Sequence, residues 1–198
     1  MHDWFATPPG RYLLAWEQAQ FDQAVADVFG YHALQLGLAA VDGLRTNRMP
    51  YRWLALDDPA MARQSALVTD FTALPFPANS LDLVVLPHTL ELSSDPHATL
   101  REVERVLVPE GRVVVCGLNP ASLWGMRQRR AHLYRRLGFG ELFLPQAGDF
   151  IGYRRMRDWL RLLGAEWRRA ASRASAPVPI AGKVHREQEQ LQQGGNGF

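Results

Sequence analysis

Acidic side chains follow two short apolar runs in the first half of the chain. Asp57 and Asp58 come directly after the run 52–56, and Asp70 follows the run 65–69. A carboxylate offers two acceptor oxygens, which suits the binding of hydroxyl or amino groups. Each acid alone could equally be a helix N-cap or a turn residue. Their recurrence at successive ends of apolar runs favours a ligand-binding edge.

A histidine follows the next apolar run, 81–86, and no other histidine ends a predicted strand. His88 is therefore the candidate for a general base or for a residue that orients a substrate, because histidine titrates near neutral pH. The alternative, a buried structural histidine, stays open.

The elements that would position these residues alternate between strands and helices. Strands are predicted over 32–38, 52–56, 65–69, 81–86 and 113–116, and helices over 7–30, 95–107, 122–137 and 156–163. Thr7 and Asp95 are the predicted N-caps, Gly30 is the predicted C-terminal stop, and Glu17 falls on the polar face of the first helix. This order predicts an α/β fold with a doubly wound, mostly parallel sheet, whose ligands bind at the carboxyl ends of the strands.

Composition restricts the protein class. The 198 residues are 47% hydrophobic, which suits one globular domain with a sizeable core. Apolar stretches fall far short of the about 20 residues that span a bilayer, and the N-terminus lacks a secretory pattern, so a cytoplasmic protein is expected. The single cysteine, Cys116, cannot form an internal disulfide, a zinc cluster of cysteines or a CxxC pair. It is expected to be a small buried side chain, and no metal site is predicted.

Charge is distributed unevenly. Residues 1–100 hold five arginines and eleven acidic residues, whereas residues 101–198 hold sixteen arginines, one lysine and nine acidic residues. Five of those arginines fall within 127–136, on a predicted helix. Such a surface could attract RNA or an acidic substrate, although the chain contains no RNA-binding motif. The alternative is an ordinary solvated helix face.

The segment 70–115, DFTALPFPANSLDLVVLPHTLELSSDPHATLREVERVLVPEGRVVV, resembles the centre of class I S-adenosylmethionine-dependent methyltransferases. Within that superfamily it is similar to a small-molecule group related to the quinone-biosynthesis enzymes. A weaker similarity extends over 31–167, and the segments WFATPPGRYLL and NPASLWGMR resemble a proteobacterial branch of the group. The resemblance implies a Rossmann-like methyltransferase domain over 31–170, with a helical cap over 1–30 and a flexible tail over 171–198.

The resemblance assigns the methionine end of the cofactor to the loop after the first strand. Relatives carry an acid-x-Gly-x-Gly-x-Gly pattern there, in which the acid helps to hold the amino group. This chain has Gln35 at the acid position, Gly37 at the first glycine, and Ala39 and Val41 at the other two. Glycines in such a loop permit left-handed backbone angles and close approach to a ligand.

The resemblance also assigns the rest of the cofactor. Asp57 or Asp58 matches the acid that binds the ribose hydroxyls. Asp70 matches the acid that bonds the adenine amino group, and Phe71 follows where an apolar side chain covers the base. The loop that begins at Pro87 would face the methyl group.

These assignments imply a methyltransferase that uses S-adenosylmethionine and acts on a small-molecule substrate. The chain has no NPPY-type tetrad after the fourth strand, which argues against enzymes that methylate amino groups of nucleic acids or glutamine. The altered glycine loop supports an alternative, a non-catalytic binding or scaffold protein with the same fold. An RNA-binding or RNA-modifying protein is a third reading.

Relatives end their sheet with two antiparallel strands. Residues 165–170 could form the first, and either residues 178–184 supply the second or the sheet lacks it. A missing strand would leave an exposed edge, through which the protein could form a homodimer.

Overall fold

The computed structural model describes residues 5–117, 159, 165–169 and 178–184. Three α-helices are described in these ranges: α1 (Pro8–Ala26), α2 (Thr89–Leu92) and α3 (Pro96–Val106). The strands are β1 (His32–Leu36), β2 (Tyr51–Leu56), β3 (Leu67–Val68), β4 (Leu81–Pro87), β5 (Leu107–Gly117), β6 (Ala165–Arg169) and β7 (Val178–Val184). A 3-10 helix covers Pro59–Gln64. The helix predicted over 122–137, with its arginines, lies outside the described residues, and only Trp159 of the helix predicted over 156–163 is described.

The seven strands form one sheet in the order β3-β2-β1-β4-β5-β7-β6. Strands β1 to β5 pair in parallel, so that Leu34 of β1 lies between Trp53 of β2 and Val84 of β4. Strand β7 runs antiparallel to both of its neighbours. The predicted α/β fold with a mostly parallel sheet is confirmed.

The last strand of the sheet is present. Strand β7 pairs with β5 on one side and with β6 on the other. Of the two alternatives from the sequence, the one in which residues 178–184 supply this strand is therefore correct. The sheet extends into the span that was assigned to a tail after residue 170. The edge that motivated a homodimer is occupied by β7.

Two apolar layers cover the two faces of the sheet, because side chains alternate between faces along each strand. One layer joins α3 to the sheet through buried residues that include Leu34, Leu36, Val84, Leu86, Leu100 and Val103. The other joins α1 to the sheet through buried residues that include Phe21, Val25, Ala33, Leu83, Val85 and Cys116. Both faces of the central strands are thus shielded from water.

Helix α1 starts as predicted and ends earlier. The Thr7 side chain accepts a hydrogen bond from Gly10 N at 3.2 Å, as expected of an N-cap. The helix ends at Ala26, so Gly30 is not its stop residue. Gly30 instead lies against Asp82, where an added Cβ would come within 2.4 Å of the Asp82 side chain. The glycine is needed for this close approach.

Helix α1 also covers the connection between β1 and β2. Residues 37–50 form turns without an α-helix. Gln18 binds this connection by donating to Asp42 O at 2.6 Å and accepting from Asp42 N at 3.0 Å. Asn47 Nδ2 donates to the carbonyls of Val25 at 2.9 Å and Val28 at 3.0 Å. No described helix is long and apolar enough to cross a membrane.

Candidate functional site

The candidate residues meet at one edge of the sheet. Gly37 follows β1, Asp57 follows β2, Asp70 lies just beyond β3, and His88 follows β4. Because these strands are parallel, their carboxyl ends lie side by side, as in other doubly wound sheets where ligands bind.

The two acids after β2 differ in what they bind. Asp58 Oδ1 accepts a hydrogen bond from Ala60 N at 2.8 Å and caps the 3-10 helix. Asp57 is exposed, and its carboxylate makes no hydrogen bond or ion pair with the described residues. Asp57 is therefore the acid of this pair whose two oxygens are available to a ligand.

Asp70 and Phe71 shape the next part of the edge. Asp70 Oδ1 accepts hydrogen bonds from Thr72 N and Thr72 Oγ1, both at 2.8 Å. These two donors hold the pKa of Asp70 below its usual value. The Phe71 ring is buried and comes within 3.7 Å of the place where a Cβ on Gly37 would stand. The Phe71 ring, just beyond β3, therefore packs beside the turn that follows β1.

Gly37 makes the turn at which β1 leaves the sheet. Its φ is +74°, in the left-handed region that glycine adopts without strain. Its N–H donates to Ala55 O of β2 at 2.8 Å. A Cβ at this position would stand 3.4 Å from Thr89 Oγ1, so the turn fits between the ends of β3 and β4.

Gln35 organises the loop from inside. Its Nε2 donates to the carbonyls of Val41 at 2.7 Å, Leu38 at 3.2 Å and Gly37 at 3.3 Å. Its Oε1 accepts from Gly43 N at 2.8 Å. The residue is 3% exposed, so no water is needed to complete these bonds. A carboxylate here would face three carbonyl oxygens, so the amide suits this loop.

The two positions that depart from the glycine pattern have ordinary backbones. Neither Ala39 nor Val41 is among the residues with positive φ, so a side chain at either position causes no backbone strain. Val41 is 1% exposed and packs in the apolar layer with α1. Its side chain belongs to the core and leaves the ligand edge unobstructed.

S-adenosylmethionine is the cofactor that the resemblance implies, and the described residues fit its nucleoside part. The available Asp57 oxygens suit two neighbouring hydroxyls, and Asp70 Oδ2 makes none of the hydrogen bonds that occupy Oδ1. Gly37 supplies a turn without a side chain beside Phe71. Pro87, the last residue of β4, is buried at the same edge. Gln35 is committed to the loop and directs neither amide atom to this edge.

His88 lies in the interior between two carboxylates. Its Nε2 is 2.9 Å from Glu17 Oε1, and its Nδ1 is 2.8 Å from Glu91 Oε2. The residue is 1% exposed and has a φ of +56°. Burial alone would lower the pKa of His88, but the charges and hydrogen bonds of Glu17 and Glu91 raise it to about 10. The ring is therefore an imidazolium that donates from both nitrogens.

This state bears on the predicted role of His88. An imidazolium has no lone pair with which to accept a proton, so a general base here would first have to lose a strongly held one. The catalytic role stays a prediction. The two carboxylates around the ring were not singled out from the sequence: Glu91 stands three residues after His88, and Glu17 was placed on a solvent-facing surface but is fully buried.

Comparisons with known proteins agree with this fold. Residues 37–115 match a family described as a methyltransferase domain. A crystal structure described as a SAM-dependent methyltransferase, possible histamine N-methyltransferase, from Thermotoga maritima superposes with a TM-score of 0.64. The alignment covers 91% of this chain and 96% of that chain at 18% identity. The chain has the class I S-adenosylmethionine-dependent methyltransferase fold. The resemblance of residues 70–115 to that superfamily is confirmed.

Curated relatives match this methyltransferase-fold chain at higher sequence identity but over a smaller share of its length. An Escherichia coli K12 protein named uncharacterized protein YafS is 29% identical over 164 residues, which are 82% of this chain and 64% of the relative. A malonyl-[acyl-carrier protein] O-methyltransferase of Halorhodospira halophila is 35% identical over 69 residues, 35% of this chain and 23% of the relative. The chain thus spans less than two thirds of the length of these relatives.

Proposed function

We propose that this protein transfers a methyl group from S-adenosylmethionine to a small-molecule acceptor. The methyltransferase-domain match over residues 37–115 and the class I sheet order support the reaction class. The proposal rests mainly on the difference between Asp57 and Asp58, the two acids after β2. Asp58 is committed to capping a helix, whereas Asp57 presents an unpaired carboxylate where a cofactor ribose would bind.

Each residue at this edge has a different part of the cofactor to bind. Asp57 would accept hydrogen bonds from the two ribose hydroxyls, and Asp70 would accept one from the adenine amino group through Oδ2. Phe71 covers the base, and Gly37 gives the backbone its close approach. Pro87 borders the place of the methyl group.

Bound S-adenosylmethionine supplies an electrophilic methyl group on a sulfonium. Its methyl group would pass to the acceptor atom by in-line displacement, with S-adenosylhomocysteine as the second product. Any proton on the acceptor passes to solvent or is lost before binding. The protein contributes chiefly alignment of the two reactants, which can supply a large part of the rate. A histidine base is not required, in keeping with the imidazolium state of His88.

The acceptor class is supported by the residues that follow β4. Pro87 ends β4 and is followed by His88, Thr89 and Leu90, without the NPPY-type tetrad of enzymes that methylate amino groups of nucleic acids or glutamine. The similarity of residues 70–115 to small-molecule enzymes points in the same direction. The malonyl-[acyl-carrier protein] O-methyltransferase match suggests an oxygen atom as the first acceptor chemistry to test.

To test this proposal, the protein is incubated with methyl-labelled S-adenosylmethionine and a cell extract, and the products are then separated by size. We expect label to enter the low-mass fraction with the wild-type protein, and label entry to fall with Asp57→Ala. Label that enters RNA or protein would contradict the small-molecule acceptor. A protein that binds neither S-adenosylmethionine nor S-adenosylhomocysteine would contradict methyl transfer and favour a non-catalytic binding module.

A further inference from the structure

Three potential metal ligands converge in the interior, behind the cofactor edge. Glu17 comes from α1, His88 follows β4, and Cys116 lies near the end of β5. One ligand atom from each lies within 4.8 Å of the other two, and all three residues are buried. We propose that this cluster binds a divalent cation of the zinc type. The proposal is independent of methyl transfer.

The Glu17 carboxylate gives the first reason. Oε1 pairs with His88, and the Cys116 thiol also lies against this carboxylate, but the buried Oε2 accepts no hydrogen bond of ordinary geometry from the described residues. A buried carboxylate oxygen without a donor is costly, and native proteins usually satisfy such atoms. A cation next to Oε2 would satisfy it.

Glu91 gives the second reason. Metal-binding histidines commonly donate their second ring nitrogen to a carboxylate, which fixes the ring and strengthens the ligand. Glu91 makes this contact with His88 Nδ1 at 2.8 Å. The other nitrogen, Nε2, faces Glu17. The histidine is thus already oriented for coordination through Nε2.

The donor atoms select the metal. A thiolate, an imidazole nitrogen and a carboxylate oxygen are ligands typical of zinc, whereas magnesium and calcium prefer oxygen alone. A bound cation would join α1 to the ends of β4 and β5. Its expected contribution is to the stability of the fold.

Cobalt(II) is the probe for this site, since it occupies zinc sites and gives a near-ultraviolet thiolate charge-transfer band. Cys116 is the only cysteine in the chain, so any such band must arise from it. Chelator-treated full-length protein is mixed with cobalt(II) both while folded and during refolding, because the cluster is closed to solvent. We expect one equivalent to bind, with a near-ultraviolet thiolate charge-transfer band.

Variants separate a built site from chance binding. Cys116→Ser should abolish the band, Glu17→Gln should weaken cobalt affinity, and Glu91→Gln should weaken it by about 10–100-fold. Glu102→Gln is the matched control, because Glu102 pairs with Arg105 outside the cluster and should leave affinity unchanged.

Two results would overturn the proposal. One is a folded wild-type protein that shows no charge-transfer band by either route. The other is an affinity that is the same in wild type, Glu17→Gln and Glu91→Gln. A zinc-dependent rise in thermal midpoint that Cys116→Ser removes would support it independently.

Discussion

Two sets of acids in this molecule have opposite environments. Asp57 and Asp70 are exposed at the carboxyl edge of the sheet, whereas Glu17 and Glu91 are buried on either side of His88. An exposed carboxylate contributes little to stability but is free to bind a ligand. A buried carboxylate is committed to its partner, and removal of one member leaves an uncompensated charge. From this comparison we predict that the exposed acids serve ligand binding and that the buried acids serve the stability of the fold.

Replacement of Glu17 should have the largest effect on the free energy of unfolding. Glu17→Ala deprives the buried imidazolium of one of its two carboxylates, so we expect a loss of about 3–5 kcal/mol in the free energy of unfolding. Urea unfolding of chelator-treated protein measures it. Asp57→Ala serves as the exposed control and should unfold close to wild type. Equal effects of the two substitutions would refute the distinction.

The pH dependence of stability should show the next largest effect. The pKa of His88 is about 10 in the folded protein against an ordinary value of 6.5, so the folded state holds a proton that the unfolded state releases between these values. The stabilisation is complete below about pH 6.5 and is lost as the pH rises through 10.

Unfolding of metal-free wild type and His88→Gln across this range measures the difference. Cys116→Ser controls for the thiol, because its raised pKa lowers stability in the same direction at alkaline pH. A wild-type curve parallel to that of His88→Gln would show that His88 is not held as an imidazolium.

Gln35→Glu tests whether a buried carboxylate is tolerated in the loop between the core and the ligand edge. The new carboxylate would face the carbonyls of Gly37, Leu38 and Val41, so we expect a loss of about 1–3 kcal/mol and weaker cofactor binding. Acidic pH should partly restore both, because a protonated acid regains a donor. Gln18→Glu, at an exposed contact with the same connection, is the control. An effect no larger than that of the control would count against the role of Gln35.

A small stability effect is expected at Asp58. Asp58→Ala removes the cap of the 3-10 helix and should cost about 1 kcal/mol. Thermal unfolding beside Asp57→Ala measures it. A larger destabilisation by Asp57→Ala would show that Asp57 has a structural partner.

Much of the edge could be predicted from the sequence, for a physical reason. Buried parallel strands are short apolar runs, and the polar residues after them fall at one edge of the sheet. Asp57, Asp70 and His88 were placed there on this basis. In the structure all three follow strand ends, with Asp57 and Asp70 exposed and the His88 side chain buried. The roles of these residues in binding and catalysis stay predictions.

The interior could not be predicted in the same way. Glu17 lies 71 residues before His88, and a glutamate on an amphipathic helix is ordinarily solvated. Its burial follows from the packing of α1 on the sheet. The bonds of Gln35 depend on carbonyl directions in a turn, which no residue pattern encodes. Contacts between distant segments thus decide which acids are buried.

The affinity for S-adenosylmethionine of Asp57→Ala and Asp58→Ala tests the central claim most directly. Calorimetric titration should show binding by wild type and by Asp58→Ala, and a loss of at least about tenfold, 1.4 kcal/mol, for Asp57→Ala. Asp57→Ala should therefore weaken cofactor binding more than Asp58→Ala does, whereas Asp58→Ala should lower the free energy of unfolding more than Asp57→Ala does. Equal affinities, or a greater loss for Asp58→Ala, would contradict the claim that the unpaired carboxylate after β2 binds the cofactor.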